Sequence, residues 1–366
     1  MAPVLDSLIQ IAPLSFAQVV VDWQKKHGRN SLPWQNTRDP YRVWLSEIML
    51  QQTQVTTVLD YYARFLQRFP AVSDLAAAEV DEVLALWSGL GYYSRARNLH
   101  RCAQQVMAHH SGCFPTSAEQ LQSLPGIGPS TAGAIASFCF AERIAILDGN
   151  VKRVLTRLLA FSGDLAERVH EQQLWRIAKS LLPLDELEEM MPRYTQGLMD
   201  LGATVCTLRK PRCVACPVQG RCLGFVSGVP EKFPVKTRKL KRSSQKLCLL
   251  WAQKPDGSVW LERRPASGIW GGLYCLPVFD SEEALMAFLP DRLHAGLESL
   301  QPFLHVLTHK DLHLFPVVAG FSVNQNMPLK ATEPQPVGAW FALDAWQGLG
   351  LPAPIRKLLT NQPGLN

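Results

Sequence analysis

The chain has no run of eighteen apolar residues, so nothing in it reads as a membrane-spanning helix. Its opening, MAPVLDSLIQIAPLSF, carries Asp6 where a secretory leader needs basic residues, and Pro13 breaks the apolar stretch, so no signal peptide is expected. No internal repeat or low-complexity tract is present, which excludes a solenoid or fibrous architecture. Nor is the charge strongly one-sided: 37 Lys and Arg against 31 Asp and Glu leave a net +6. That excess favours a polyanionic partner without defining one. Without a leader, the nine cysteines belong in a reducing cytosol, where clustered thiols point to metal rather than to disulfides.

What is present is an ordinary globular composition, 47% hydrophobic and 19% charged over 366 residues, long enough for two or three domains. From Leu14 to about Phe225 the apolar period is helical. The segments are Phe16–Lys26, Val43–Phe69, Val80–Trp87, Ala96–His109, Thr131–Phe140, Val151–Leu158, Glu171–Leu182 and Met190–Leu201, separated by Pro and Gly. Val229 to Lys246 then reads as a basic linker carrying Lys232, Lys236, Arg238, Lys239, Lys241, Arg242 and Lys246. Beyond it the period changes to two in KLCLLWA, SVWLERR, LYCLPVF and LHLFPVVAGFSV, with helices at Ser281–Leu289 and Pro354–Leu359. The fold class expected is therefore multi-domain: all-α over 1–228, a linker over 229–246, and an α+β domain over 247–366.

Three constellations carry chemistry. In Leu124 to Leu155, LPGIGPSTAGAIASFCFAERIAILDGNVKRVL, turn formers at Gly126 and Gly128 precede a small-residue helix for which Ser130 is a cap candidate. Both glycines permit positive φ and a nest of backbone N–H groups for an anion. Asp148 stands at the mouth of the next helix, where a carboxylate is ordinarily an N-cap. The second constellation is Cys206-x6-Cys213-x2-Cys216-x5-Cys222. Its single C-x2-C pair and uneven outer spacings favour an iron–sulfur cluster, with zinc the alternative. Cys102, Cys113, Cys139, Cys248 and Cys275 are scattered and read as packing residues. The third is Glu47, which lies among Val43, Trp44, Leu45, Ile48, Met49 and Leu50. A Glu in a helix is ordinarily a solvated surface charge; held out of water by these neighbours, it would have its carboxyl pKa raised and keep the proton a general acid needs.

LPGIGPSTAGAI followed by ILDGNVKRVL resembles the helix-hairpin-helix and catalytic-aspartate signature of the endonuclease III superfamily, and specifically of MutY-type adenine DNA glycosylases. The resemblance runs from about Phe16 to Leu359. It implies a six-helix module over about 35–147, with 1–34 and 148–228 forming the iron–sulfur module, whose four cysteines ligate one [4Fe–4S] cluster. It makes Glu47, in SEIMLQQTQV, the acid that protonates the departing adenine, and Asp148 the group that stabilises the sugar cation. Asn150 and Trp34, in LPW, become active-site support. Leu124, Gly126 and Gly128 grip the DNA backbone, and Gln52, Leu90 and Tyr92 take intercalating and wedge positions.

Strand-cutting relatives carry a lysine where this chain has Ser130, which cannot form a Schiff base, so a monofunctional enzyme is expected. ERRPASGIWGGLYCLPVF resembles the Nudix-like domain appended to this family, but the glutamate-dense helix that would hold Mg²⁺ is missing, which excludes nucleotide hydrolysis. In the family this domain reads 8-oxoguanine, and Thr308 and His309 occupy the matching loop. The expected partner is double-stranded DNA with adenine opposite 8-oxoguanine or guanine. A monomer with no membrane attachment, cytoplasmic and nucleoid-associated, completes the expectation.

Overall fold

The computed structural model describes residues 13–237, 242–328 and 337–361. Arg238, Lys239 and Lys241 of the expected linker lie outside them. The chain forms two compact units, Met1–Ala76 with Arg101–Lys239, and Ala77–His100 with Leu240–Asn366. Residues 77–100 group with the C-terminal residues in the second unit. Among the described residues no helix is long and apolar enough to cross a membrane.

The first unit is helical. In chain order it has α1 (Pro13–His27), α2 (Pro40–Leu50), α3 (Val55–Arg68) and α4 (Val72–Ala77, which crosses the unit boundary). Pro40 starts α2, the Asp39 side chain accepts the Tyr41 N–H at 2.9 Å, and Tyr41, Val43, Trp44, Leu45, Ile48 and Met49 form its buried face. Apolar periodicity reads Val43–Phe69 as one helix, but the structure breaks it at Gln51–Gln54, where Gln52 takes φ 59°. That left-handed conformation cannot continue a right-handed helix.

The chain returns through α5 (Val80–Trp87) and α6 (Ser94–His110), then α7 (Ala118–Leu121), α8 (Pro129–Phe140), α9 (Gly149–Leu158), α10 (Arg168–Ser180) and α11 (Leu187–Asp200). A π-helical turn, Leu201–Val205, prolongs α11. The core of this part gathers Phe16, Val20, Leu147, Val151, Leu155, Leu174, Met191, Tyr194 and Leu198. Gly133 of α8 lets the segment before α9 come close: a Cβ there would stand 2.9 Å from the Ala145 carbonyl oxygen. Close approach of these two segments is what sets Asp148 beside the hairpin helix.

The second unit contains α5, the start of α6, and a mixed sheet ordered β3-β2-β1-β7-β5. Its strands are β1 (Ser243–Gln253), β2 (Val259–Arg263), β3 (Tyr274–Cys275), β4 (Val278–Phe279), β5 (Glu298–Ser299), β6 (Phe303–Val306), β7 (Lys310–Gly320) and β8 (Gly338–Phe341). Strands β1 and β7 pair in parallel from Ser243↔Lys310 to Gln253↔Gly320. LYCLPVF, expected as one strand, is split into β3 and β4, and the two-residue β5 is too short for alternation to show.

Candidate active site

Glu47, Asp148, Ser130, Asn150, Trp34 and Gln52 line one cleft of about 970 Å³ in the first unit, with Arg29, Arg153 and Gln196. Glu47, Trp34 and Gln196 also line an adjoining cleft of about 1030 Å³ that continues to Asn36, Arg38 and Glu188. Glu47 stands one turn from the end of α2, whose neighbouring side chains are buried. Burial, and secondarily the negative charge of Asp148, pushes its carboxyl from 4.5 up to about 8. Glu47 thus holds its proton at neutral pH.

Asp148 is an N-cap and a cleft residue at once. Its Oδ1 accepts the Val151 N–H at 2.8 Å, and the Asn150 Nδ2 lies 3.5 Å from its Oδ2. Burial raises its pKa, opposed by backbone N–H groups of Val151 and Asn150 and by the charges of Arg153 and Lys152. Capping restrains the carboxylate, so the helix terminus aims the charge as well as being stabilised by it. Arg153 extends the support: it donates to Asn150 Oδ1 at 2.8 Å, to the Gly202 carbonyl at 2.7 Å and to the Cys206 carbonyl at 2.7 Å.

Ser130 does not cap α8. Gly128 occupies the cap in extended conformation, with Pro129 first in the helix, and the Ser130 Oγ instead accepts the Leu147 N–H at 3.1 Å. The hydroxyl thereby ties the hairpin helix to the residue preceding Asp148. Trp34 is buried and packs edge-on against Tyr62, ring centres 5.2 Å apart.

In the hairpin, Gly126 has φ 79°, a value that requires glycine, whereas Gly128 at φ −87° and ψ 175° does not. A Cβ on Gly128 would meet nothing within 4 Å, so the face outside it is open. Leu124 and Ile127 are buried, and their side chains anchor the turn rather than reach outward. Gln52 is exposed at the cleft.

The four clustered cysteines line one small cavity of about 20 Å³ together with Arg157 and Phe225. Among the described residues no three His, Cys, Asp or Glu side chains, these four cysteines included, are grouped closely enough to hold a metal ion. The fully buried Arg157 donates to Cys206 Sγ at 3.4 Å and to the carbonyls of Thr207 at 2.6 Å, Leu208 at 2.9 Å and Phe233 at 3.1 Å. Backbone N–H groups of Val218 and of Phe225 and Gly224 point at Cys216 and Cys222. Burial raises both thiols, Cys216 up to about 11, and these N–H donors oppose that rise.

Within the second unit, Tyr92 is 42% exposed at φ 48°, while Leu90 is 6% exposed and packed away. The Tyr92 hydroxyl hydrogen-bonds Thr308 Oγ1. Thr308 and His309 form the turn between β6 and β7, closed by the Leu307 N–H to the Lys310 carbonyl at 2.8 Å and held by the Ser243 N–H to the His309 carbonyl at 3.1 Å. The helix Glu282–Phe288 begins with Glu282 and Glu283 and has no further acid.

Periodicity and motif both pass over Arg29, Gln196 and Asp200. The fully buried Asp200 accepts from Arg29 Nε at 2.6 Å, from the Arg29 N–H at 2.9 Å and from Gln196 Nε2 at 2.9 Å, which sets two cleft-lining groups. Arg29 and Asp200 are 171 positions apart, so no local pattern joins them.

Residues 45–180 match the family described as HhH-GPD superfamily base excision DNA repair protein, and residues 248–361 match the NUDIX domain. A thermostable thymine-DNA glycosylase shares the fold of the helical part, with TM-score 0.51 and 26% identity over 59% of this chain and 97% of that one. The adenine DNA glycosylase of Buchnera aphidicola subsp. Acyrthosiphon pisum is 37% identical over 94% of this chain and 97% of its own length. That of Mus musculus is 39% identical over 69% of this chain and 51% of its own. A helical core bearing a hairpin and a two-carboxylate cleft, followed by a Nudix-like domain, defines a DNA glycosylase of base excision repair. More narrowly, the chain belongs to the adenine DNA glycosylase family, enzymes that excise adenine.

Proposed function

We propose that the chain removes adenine opposite 8-oxoguanine, or opposite guanine, from duplex DNA by a hydrolytic mechanism that leaves the strand uncut. The observation carrying this reading is the pairing in one cleft of Asp148 with Glu47, whose carboxyl is pushed up to about 8. Adenine's glycosidic bond is out of reach inside a duplex, so the nucleotide is extruded into the cleft. Glu47 donates its proton to adenine N7, and the C1′–N9 bond breaks with its electron pair leaving on the base. The ionised Asp148, held by its cap, stabilises the sugar cation. Water bonds to C1′, and the proton it loses restores Glu47.

Trp34 walls the cleft, Asn150 orients Asp148, and the Ser130 hydroxyl leaves no amine to form a Schiff base and cut the strand. Gly126 and Gly128 present the turn before α8 to the DNA backbone, Leu124 anchoring it from inside. Gln52, in left-handed backbone at the cleft, acts as an intercalating residue, and Tyr92, also in left-handed backbone, as a wedge. Leu90 joins them only by leaving its packing. Thr308 and His309 read the opposite base.

Cys206, Cys213, Cys216 and Cys222 would hold a [4Fe–4S] cluster, and their common cavity with sulfur-directed N–H groups supports that fit. When bound, the cluster supplies a cross-link between the four thiolates and compensates burial of their charge.

Single-turnover reactions on duplexes with adenine opposite 8-oxoguanine, adenine opposite guanine, and thymine glycol test the reading. Adenine release exposed as a strand break only after alkali is the result expected. Breaks without alkali, or turnover of thymine glycol alone, would overturn it.

A further inference from the structure

The turn Ser88–Tyr92 is unusual in its backbone: Gly89, Gly91 and Tyr92 have φ of 105°, 72° and 48°. Tyrosine rarely adopts such a value, so the turn needs support from outside itself. That support converges on Arg95, in the first turn of α6 and only 8% exposed. Its Nη2 donates to the Leu90 carbonyl at 3.1 Å and the Gly91 carbonyl at 3.2 Å, and its backbone N–H donates to the Tyr92 carbonyl at 2.8 Å. The guanidinium carbon lies 5.2 Å from the centre of the Trp87 ring and 5.6 Å from that of Tyr92. Trp87 Nε1 also donates to the Gly91 carbonyl, at 3.1 Å. A Cβ on Gly91 would meet nothing within 4 Å, so the tip of the turn is open on its outer side.

From this geometry we infer that Arg95 is a positioning residue that presets the Ser88–Tyr92 turn, so that Tyr92 enters the duplex in the conformation it already holds. The planar guanidinium suits the role: while its Nη2 alone takes two adjacent carbonyls, its face lies over the Trp87 ring and near that of Tyr92, a stacking surface that a compact lysine ammonium lacks. Presetting matters because every dihedral ordered before DNA arrives is one that extrusion need not order. The inference rests on the base-extrusion reading above.

The test uses the full chain with Asp148→Asn, which blocks excision, and a duplex carrying 2-aminopurine opposite 8-oxoguanine, whose fluorescence rises when the base leaves the stack. With Arg95 present, binding should be followed by a rise. Adding Arg95→Lys should leave the chain folded and the Kd within threefold, yet slow the rise at least tenfold. Trp87→Phe, which deletes the N–H to Gly91, should act in the same direction more weakly, and it carries the test if the lysine variant does not fold. An unchanged rise in a folded variant, or a loss that merely follows weaker binding, overturns the role of Arg95. Absence of any rise with Arg95 intact would instead sink the extrusion reading and this inference with it.

Discussion

Replacing Glu47 with glutamine isolates the energetic cost of keeping this acid in the cleft. In the unfolded chain the carboxyl ionises near 4.5, whereas in the folded protein burial and Asp148 hold its proton up to about 8. Between those values the native state carries a proton that the unfolded state lacks, so stability falls as pH rises and levels off above pH 8. Each tenfold change in proton affinity is worth about 1.4 kcal/mol, which makes the full cost about 5 kcal/mol. Water in the cleft screens part of it, so this is an upper figure. Glu47→Gln has no such proton to lose, and its stability relative to the parent should climb between pH 5 and 9. For a unit of this size, about 2–4 °C per kcal/mol translates the difference into a gain of up to about 10–20 °C in Tm. Differential scanning calorimetry of both proteins across that range measures it. A difference independent of pH would show that Glu47 is fully solvated and refute the argument for its protonation. The same substitution should cost about 10²–10⁴ in single-turnover rate while duplex binding persists.

Excision itself should be bell-shaped in pH: it falls above about 8 as Glu47 ionises, and falls at low pH as Asp148, raised above the usual carboxylate range, takes a proton. A rate that keeps rising past pH 9 would exclude Glu47 as the acid. Asp148→Asn keeps a capping side chain for Val151, so it should abolish base release with little loss of Tm; strong destabilisation would make Asp148 chiefly structural. Ser130→Ala strands the buried Leu147 N–H at a cost of about 1–3 kcal/mol and should lower the single-turnover rate more than the affinity, while Ser130→Thr restores both. Cys222→Ser should lower the iron content and brown colour of the purified protein, whereas a colourless parent protein holding stoichiometric zinc would overturn the cluster assignment.

Much of this site was legible in the chain because its chemistry sits in short local patterns. The Glu47 segment, the hairpin glycines, Asp148 and the cysteine spacing each lie within about thirty residues, and the helical and alternating periods separate the two halves. The failures were equally local in cause. Apolar periodicity ran straight through Gln51–Gln54 because the apolar spacing continues past a left-handed residue that leaves no mark on it. Ser130 looked like a cap because a hydroxyl before a helix commonly is one, and only the packing of the segment before α9 against α8 gave it another partner. That Leu90 and Leu124, which the resemblance puts at the DNA interface, have buried side chains is a state no local pattern shows.

By itself the sequence determined the residue types on hand: two carboxylates, a serine in the hairpin helix, and four clustered thiols. Tertiary structure decided their states. It brought Glu47 and Asp148 to one cleft from positions 101 apart along the numbering, and it drew Arg29 to Asp200 and Arg153 to the cysteine loop. Proton affinity depends on the water removed and the charges nearby, and both are properties of packing that no order of residues contains.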